Sequence, residues 1–171
     1  MRIPRLMYRT DDGGNGCFVS KDEEFEKAVN LTKAVINDRK IDLLVEPFAC
    51  GSSLLSNGLF PDYEGKLIFH LTDLNMNSHI QGAISAKVDY ESLIPWLLDK
   101  RAFIYCDPPH DNFDTEHFCT LINLLQNQNY VLIRSIKPLP LKKISENFYV
   151  QEHGLLDKWI QEKKNYEWSC F

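Results

Sequence analysis

Short apolar runs that stop at an acidic residue are the feature that most limits how this chain can fold. Residues 41–45 and 102–106 are almost entirely apolar, and an acid follows each of them at once, Glu46 and Asp107. Neither run alternates with polar residues, which is the pattern of a strand buried on both faces. Such strands are typical of parallel sheets covered by helices on both sides.

Helical and strand-like segments alternate along the chain. Apolar residues recur at helical spacing over residues 21–38, which predicts an amphipathic first helix. The other predicted helices are 52–57, 91–100, 115–128, 139–146 and 155–164; the predicted strands are 41–45, 67–71, 83–88, 102–106 and 130–133, with edge strands at 148–151 and 166–171. This order predicts an α/β fold with a doubly wound, mostly parallel sheet, whose ligands bind beyond the carboxyl ends of the strands.

The predicted helix 115–128 has one apolar face. The residues expected on its inner side are Phe118, Leu121, Ile122, Leu124 and Leu125.

Length and composition point to one ordinary globular domain over residues 1–171. The chain is 44% hydrophobic and 25% charged, with no repeat and no linker. Its five cysteines are an odd set without Cys-x-x-Cys spacing, which favours a reducing compartment. No apolar run approaches the ~20 residues of a membrane span, and no signal-peptide core is seen, so a cytoplasmic protein is expected.

The formal charge of −5 argues against a surface that holds nucleic acid mainly by neutralising phosphates. Local basic patches stay compatible with that charge. The two lysine clusters are Lys137, Lys142 and Lys143, and Lys158, Lys163 and Lys164, although such runs are commonly the solvated side of a helix.

Two strand ends carry residues suited to a nucleotide-like ligand. Glu46-Pro47-Phe48-Ala49-Cys50-Gly51 turns from a strand into a helix, and its small residues let the backbone approach a ligand closely. Glu46 offers a carboxylate to a cationic amino group and Phe48 an apolar wall; a surface or capping role is the alternative for Glu46. Asp73, at the tip of the next strand, is suited equally to ribose hydroxyls and to an N-cap.

Asp107-Pro108-Pro109-His110 is the more specific motif. Two prolines fix the backbone and remove amide donors, so the Asp107 carboxylate and the Pro108 carbonyl form a rigid pair of acceptors. An exocyclic amine that donates both N–H groups to this pair has its lone pair drawn out of ring conjugation, and His110 can stack on the base. The alternative is a turn-forming aspartate at a proline-terminated strand end.

These motifs resemble those of the DNA adenine-N6 methyltransferases related to the Dam methylase. The similarity covers roughly residues 41 to 135, with the motifs in the family's order. They are Glu46-Pro47-Phe48-Ala49-Cys50-Gly51, Asp73-Leu74-Asn75, Val88-Asp89-Tyr90 and Ile104-Tyr105-Cys106-Asp107-Pro108-Pro109-His110, with a fainter match at Phe18-Val19-Ser20-Lys21.

The resemblance implies S-adenosylmethionine as cofactor, adenine in DNA as acceptor and no requirement for a metal. It also implies a Rossmann-like class I methyltransferase fold, a three-layer αβα sandwich with about seven strands. The implied catalytic residues are Asp107, Pro108, Pro109 and His110; the implied cofactor-binding residues are Glu46, Pro47, Phe48, Ala49, Gly51, Asp73, Asp89, Tyr90 and Lys21.

The chain departs from the family at three places. His110 stands where Tyr, Phe or Trp is usual, and Cys50 and Ser52-Ser53 replace glycines. Only about fifteen residues separate Asp73 from Asp89, where the family carries its target-recognition insert. A partner protein or a second copy of the chain is therefore expected to supply recognition.

Three functions are compatible with these residues. The first is an active adenine-N6 methyltransferase on DNA. The second is a non-catalytic relative that binds cofactor or a partner and acts in regulation. The third is a methyltransferase whose acceptor is RNA, a protein side-chain amide or a small amine, towards which the acidic balance tilts slightly.

Overall fold

The computed structural model describes residues 23–48, 66–70, 83–86, 90–108, 113–125 and 128–164. The helices are α1 (Glu23–Arg39), α2 (Tyr90–Leu97), α3 (Thr115–Asn123) and α4 (Leu155–Lys164). The strands are β1 (Leu43–Glu46), β2 (Lys66–His70), β3 (Ala83–Ala86), β4 (Phe103–Cys106), β5 (Tyr130–Arg134), β6 (Lys142–Lys143) and β7 (Phe148–Val150). Within these ranges, no helix has both the length and the apolar character needed to cross a bilayer.

The strands form one mixed sheet in the order β3-β2-β1-β4-β5-β7-β6. The pairs from β3 to β5 are parallel, whereas β7 runs antiparallel to both β5 and β6. The prediction of an α/β fold with a mostly parallel sheet is thus confirmed.

Alternate side chains of the central strands enter two separate apolar clusters. Leu44 and Phe103 pack with α1 and α4 on one face of the sheet. Val45 and Ile104 pack with α2 and α3 on the other face. Because successive side chains of a strand point to opposite faces, both faces of these strands are buried, which explains their unbroken apolar runs.

Most of the predicted elements that fall on described residues are present, with bounds shifted by a few residues. The predicted helix 52–57 and the predicted strand 166–171 lie outside those residues.

The predicted helix at residues 139–146 is wrong, since Lys142–Lys143 form β6. The backbone of Lys142 and Lys143 instead pairs with Val150 and Tyr149 of β7, a contact that local spacing does not reveal. Strand β6 takes the outer position in the sheet. Consequently β7, predicted as an edge strand, lies between two others.

Helix α3 is shorter than predicted and ends at Asn123. Leu124 forms its carboxyl cap, and its side chain is 56% exposed, so the prediction that it faces the core is wrong. Leu125 is buried as predicted.

Asn129 ties three elements together at the amino ends of β4 and β5. Its side chain is fully buried; Oδ1 accepts a hydrogen bond from Ala102 N at 3.0 Å, and Nδ2 donates to Leu97 O at 3.1 Å. The Asn129 side chain is thus the hydrogen-bond partner of the buried Ala102 amide, and it adds a second donor to Leu97 O, which also accepts from Lys100 N at 3.0 Å.

Replacing Asn129 with Ala is expected to lower the free energy of unfolding by about 1–3 kcal/mol, because the buried Ala102 amide loses its partner. Urea denaturation measures this change. The exposed neighbour Gln128 is the control, and Gln128→Ala should stay within about 0.5 kcal/mol of the parent. Equal losses in the two variants would contradict the role given to Asn129.

Candidate functional site

Two turns that are far apart in sequence meet at one edge of the sheet. Strands β1 and β4 are parallel neighbours, with Leu44 opposite Phe103 and Val45 opposite Ile104. From this pair the chain continues in opposite directions, to β2 and β3 on one side and to β5 on the other. A switch point of this kind leaves a crevice beyond the carboxyl ends of the two strands, next to Glu46 and Asp107.

Asp107 follows β4 directly, and its carboxylate faces an arginine from the neighbouring strand. Arg134 ends β5, and its Nη1 lies 3.7 Å from Asp107 Oδ2; the two side chains are 8% and 21% exposed. Desolvation raises the pKa of Asp107 from 3.8 to about 6, against the opposing charge of Arg134. The carboxylate is therefore ionised at neutral pH and protonated in mild acid.

A second carboxylate acts on the same strand end. Glu46 closes β1 and is only 2% exposed. The pKa values of Tyr105 and Cys106 are both raised well above their ordinary range, first by burial and then by the charges of Asp107 and Glu46. The phenol and the thiol consequently stay neutral at physiological pH.

Four aromatic rings lie in mutual contact beside these charges. Phe48, Tyr90, Phe113 and Phe118 have ring centroids 5.3 to 5.9 Å apart. Phe48 comes from the turn after β1, Tyr90 begins α2, and Phe113 comes shortly after the Asp-Pro-Pro-His motif. The rings thus join two of the sequence motifs, and a residue that lies three positions after a third motif, in one cluster.

The structure brings together those predicted site residues that it describes. Glu46, Pro47, Phe48 and Pro108 are buried, whereas Tyr90 and Asp107 keep part of their surface open. The other predicted site residues lie outside the described ranges: Lys21, Ala49, Gly51, Asp73, Asp89, Pro109 and His110.

Sequence reasoning missed Arg134 and Phe113. Arg134 follows the apolar run 130–133 as Asp107 follows 102–106, so a charged residue at a buried strand end was the available signal. Phe113 carried no local signal, since two of its three ring partners, Phe48 and Tyr90, are distant in sequence and only the fold brings them near.

The lysine clusters are partly engaged within the chain. Lys142 Nζ lies 2.7 Å from Asp157 Oδ1, and Lys163 Nζ lies 3.3 Å from Asp38 Oδ2. These two cations are therefore less available to a phosphate backbone than a count of lysines suggests.

Comparisons with known proteins do not indicate a function for the carboxyl ends of β1 and β4. A scan against protein-family models found no match, and neither did searches of the curated proteins and of the solved structures. The chemistry of these strand ends is therefore inferred from their residues and from the order of the strands.

The raised pKa of Asp107 predicts a stability change with pH. Because the pKa of Asp107 is higher in the folded state than in the unfolded state, ionising Asp107 disfavours the folded state. The protonated carboxyl group therefore contributes its full stabilisation below about pH 3.8, and this contribution is lost as the pH rises through about 6. One pKa unit corresponds to about 1.4 kcal/mol, so the shift corresponds to about 3 kcal/mol.

Asp107→Asn removes this titration. The free energy of unfolding of the variant minus that of the parent should therefore increase between pH 4 and 7, by up to about 3 kcal/mol. Urea denaturation across this pH range measures the difference. A difference that stays flat with pH would contradict the buried, raised aspartate.

Proposed function

We propose that the carboxyl edge of β1 and β4 binds S-adenosylmethionine and directs methyl transfer to the exocyclic N6 amine of adenine in DNA. The observation that carries this proposal is the parallel pairing of β1 with β4 at the switch point of the sheet. That pairing gives the Glu46 and Asp107 turns, which resemble the cofactor and catalytic motifs of the Dam-related family, a common crevice.

The strand order supports the fold that the resemblance implies. Parallel strands in the order β3-β2-β1-β4-β5, followed by a reversed β7 between β5 and β6, resemble the strand order expected for a class I methyltransferase. Helices pack on both faces of this sheet, as in a three-layer sandwich. A fold alone does not define an activity, so the residues of the crevice carry the rest.

The described residues suit the cofactor in their chemistry. Tyr90 and Phe113 keep partly open rings that an adenine can contact, and Glu46 offers a carboxylate to an amino group. Glu46 and Phe48 are only 2% and 5% exposed, so a ligand reaches them after the atoms that cover them move. When bound, S-adenosylmethionine supplies a methyl group activated by its sulfonium.

The acceptor amine is oriented by Asp107 and Pro108. A carboxylate oxygen and the Pro108 carbonyl each accept one N–H, which holds the nitrogen lone pair out of the plane of the base. When S-adenosylmethionine is bound, its S–CH3 bond would break as the N–CH3 bond forms, with the electron pair staying on sulfur, and the proton lost from the nitrogen would pass to water. The chain's contribution is thus orientation and electrostatics, with Asp107 in its ionised form above about pH 6.

A regulatory, cofactor-binding or partner-binding protein is the second candidate. This candidate is favoured by the burial of Glu46 and Phe48 and by the ion pair between Asp107 and Arg134. These groups at the ends of the strands are already covered or paired within the chain, without a ligand. Transfer measurements separate it from an enzyme.

Tyr90→Leu tests the cofactor site. Loss of the flat ring should weaken S-adenosylmethionine binding by about tenfold, since stacking on an aromatic ring contributes ~1–3 kcal/mol. Isothermal titration calorimetry measures the change. Trp96→Leu, on the same helix but 44% exposed, should leave the affinity unchanged. Absence of any binding to the parent protein would refute the proposed cofactor.

Asp107→Ala tests catalysis. Tritiated-methyl transfer to DNA, RNA, protein and small amines is measured in parallel, and the variant is expected to lose about 100-fold or more of the rate on DNA. Asp99→Ala, at a carboxylate that is 79% exposed, is the matched control and should retain the parent rate. Cofactor binding without transfer to any acceptor would favour the regulatory protein, and transfer to another acceptor alone would replace DNA.

A further inference from the structure

Arg134 reaches Asp107 from β5, which lies on the side of β4 opposite to β1. It is the last residue of β5, which pairs with β4 on one side and β7 on the other, with Cys106 opposite Ile133 and Arg134 opposite Phe148. The side chain is 8% exposed, and its Nη1 reaches to 3.7 Å from Asp107 Oδ2. The only ion pair that the structure records for Asp107 among the described residues is therefore with this guanidinium.

A purely structural role accounts poorly for a charge at this position. A guanidinium stays protonated at physiological pH, and taking it out of water together with a carboxylate is commonly no more stabilising than well-packed apolar side chains. The four residues before it in β5, Tyr130 to Ile133, are apolar or aromatic and buried, so an apolar residue would continue that strand. The pair thus has a role in what Asp107 does.

We propose that Arg134 is the positioning residue of the catalytic turn: it favours the ionised form of Asp107 and holds its carboxylate through Oδ2. The catalytic part of this role rests on the proposed function, whereas the action of Arg134 on Asp107 does not. An ionised carboxylate that is held in place can accept a hydrogen bond from the planar NH2 group of an acceptor.

The groups around Asp107 make this effect measurable. Arg134 faces it from β5, Tyr105 and Cys106 belong to β4 itself, and Glu46 acts on the same strand end from β1. Tyr105 and Cys106 stay neutral because their pKa values are raised. Asp107 itself, with a pKa of about 6, is the group whose titration in mild acid reports on Arg134.

Carbon-13 NMR of the aspartate carboxyl groups tests the proposal on the full chain without cofactor or substrate. The Asp107 signal is assigned with Asp107→Asn and titrated in the parent, in the neutral variants Arg134→Gln and Arg134→Met, and in Arg134→Lys. The neutral variants should move the Asp107 titration upward by about one pH unit or more, and Lys should return it towards the parent. Met provides a second neutral variant of similar length if Gln prevents folding.

Arg101→Gln is the matched control. Arg101 lies just before β4, and its side chain donates hydrogen bonds to the carbonyl groups of Arg39 and Lys40. Its loss should therefore leave the Asp107 titration unchanged. An Asp107 titration that is the same in the parent and in the folded neutral variants would overturn the proposal.

The pH profile of methyl transfer to an adenine-containing oligonucleotide is the second readout. Its acidic limb should move upward with Arg134→Gln and return with Arg134→Lys. An acidic limb that stays in place in a folded, active Arg134→Gln variant would overturn the positioning role. If the parent transfers methyl to nothing while the NMR shift appears, the proposed function fails and the action of Arg134 on Asp107 stands.

Discussion

The parallel contact between β1 and β4 is the constraint on which the rest of the site depends. These strands are neighbours in the sheet although about sixty residues separate them in sequence. Because their carboxyl ends lie together, Glu46 and Asp107 act on one strand end, and Phe48 reaches the rings of Tyr90 and Phe113. If the two strands were not adjacent, each turn would be an ordinary strand end without a partner.

The ionisable groups at the carboxyl ends of these strands are poorly solvated, and this burial shifts their pKa values. Burial disfavours the ionised form of Asp107, and the guanidinium of Arg134 opposes that effect without cancelling it. Neighbouring Tyr105 and Cys106 respond to the same acids and remain neutral. The pair of strands therefore concentrates ionisable groups where a small change of surroundings alters protonation, as is common at functional sites and occasional in structural ion pairs.

Local sequence patterns predict which segments of this chain form helices and strands better than they predict which residues contact each other in the fold. The apolar runs before Glu46 and Asp107 predict β1 and β4 because burial on both faces leaves a visible signature in the residues themselves. Residues 139–146 misled the helix prediction, since their spacing gives no sign that Lys142 and Lys143 pair with β7. Arg134 was missed because its importance comes from its contact with Asp107 of the neighbouring strand end, and Phe113 because Phe48 and Tyr90 lie far from it in sequence.

The energetics of adenine methylation bear directly on how so short a chain would act on DNA. Extruding a base from a duplex costs a few kcal/mol, and an element that reaches the base edges normally helps to offset it. This chain carries a formal charge of −5, and Lys142 and Lys163 are already engaged with Asp157 and Asp38. Attraction to phosphates is thus a weak source of binding energy. Under the proposed function, either the adenine is already unpaired or a partner, another protein or a second copy, contributes the missing contacts; the Asp107 and Pro108 acceptors then need only orient an amine that is delivered to them.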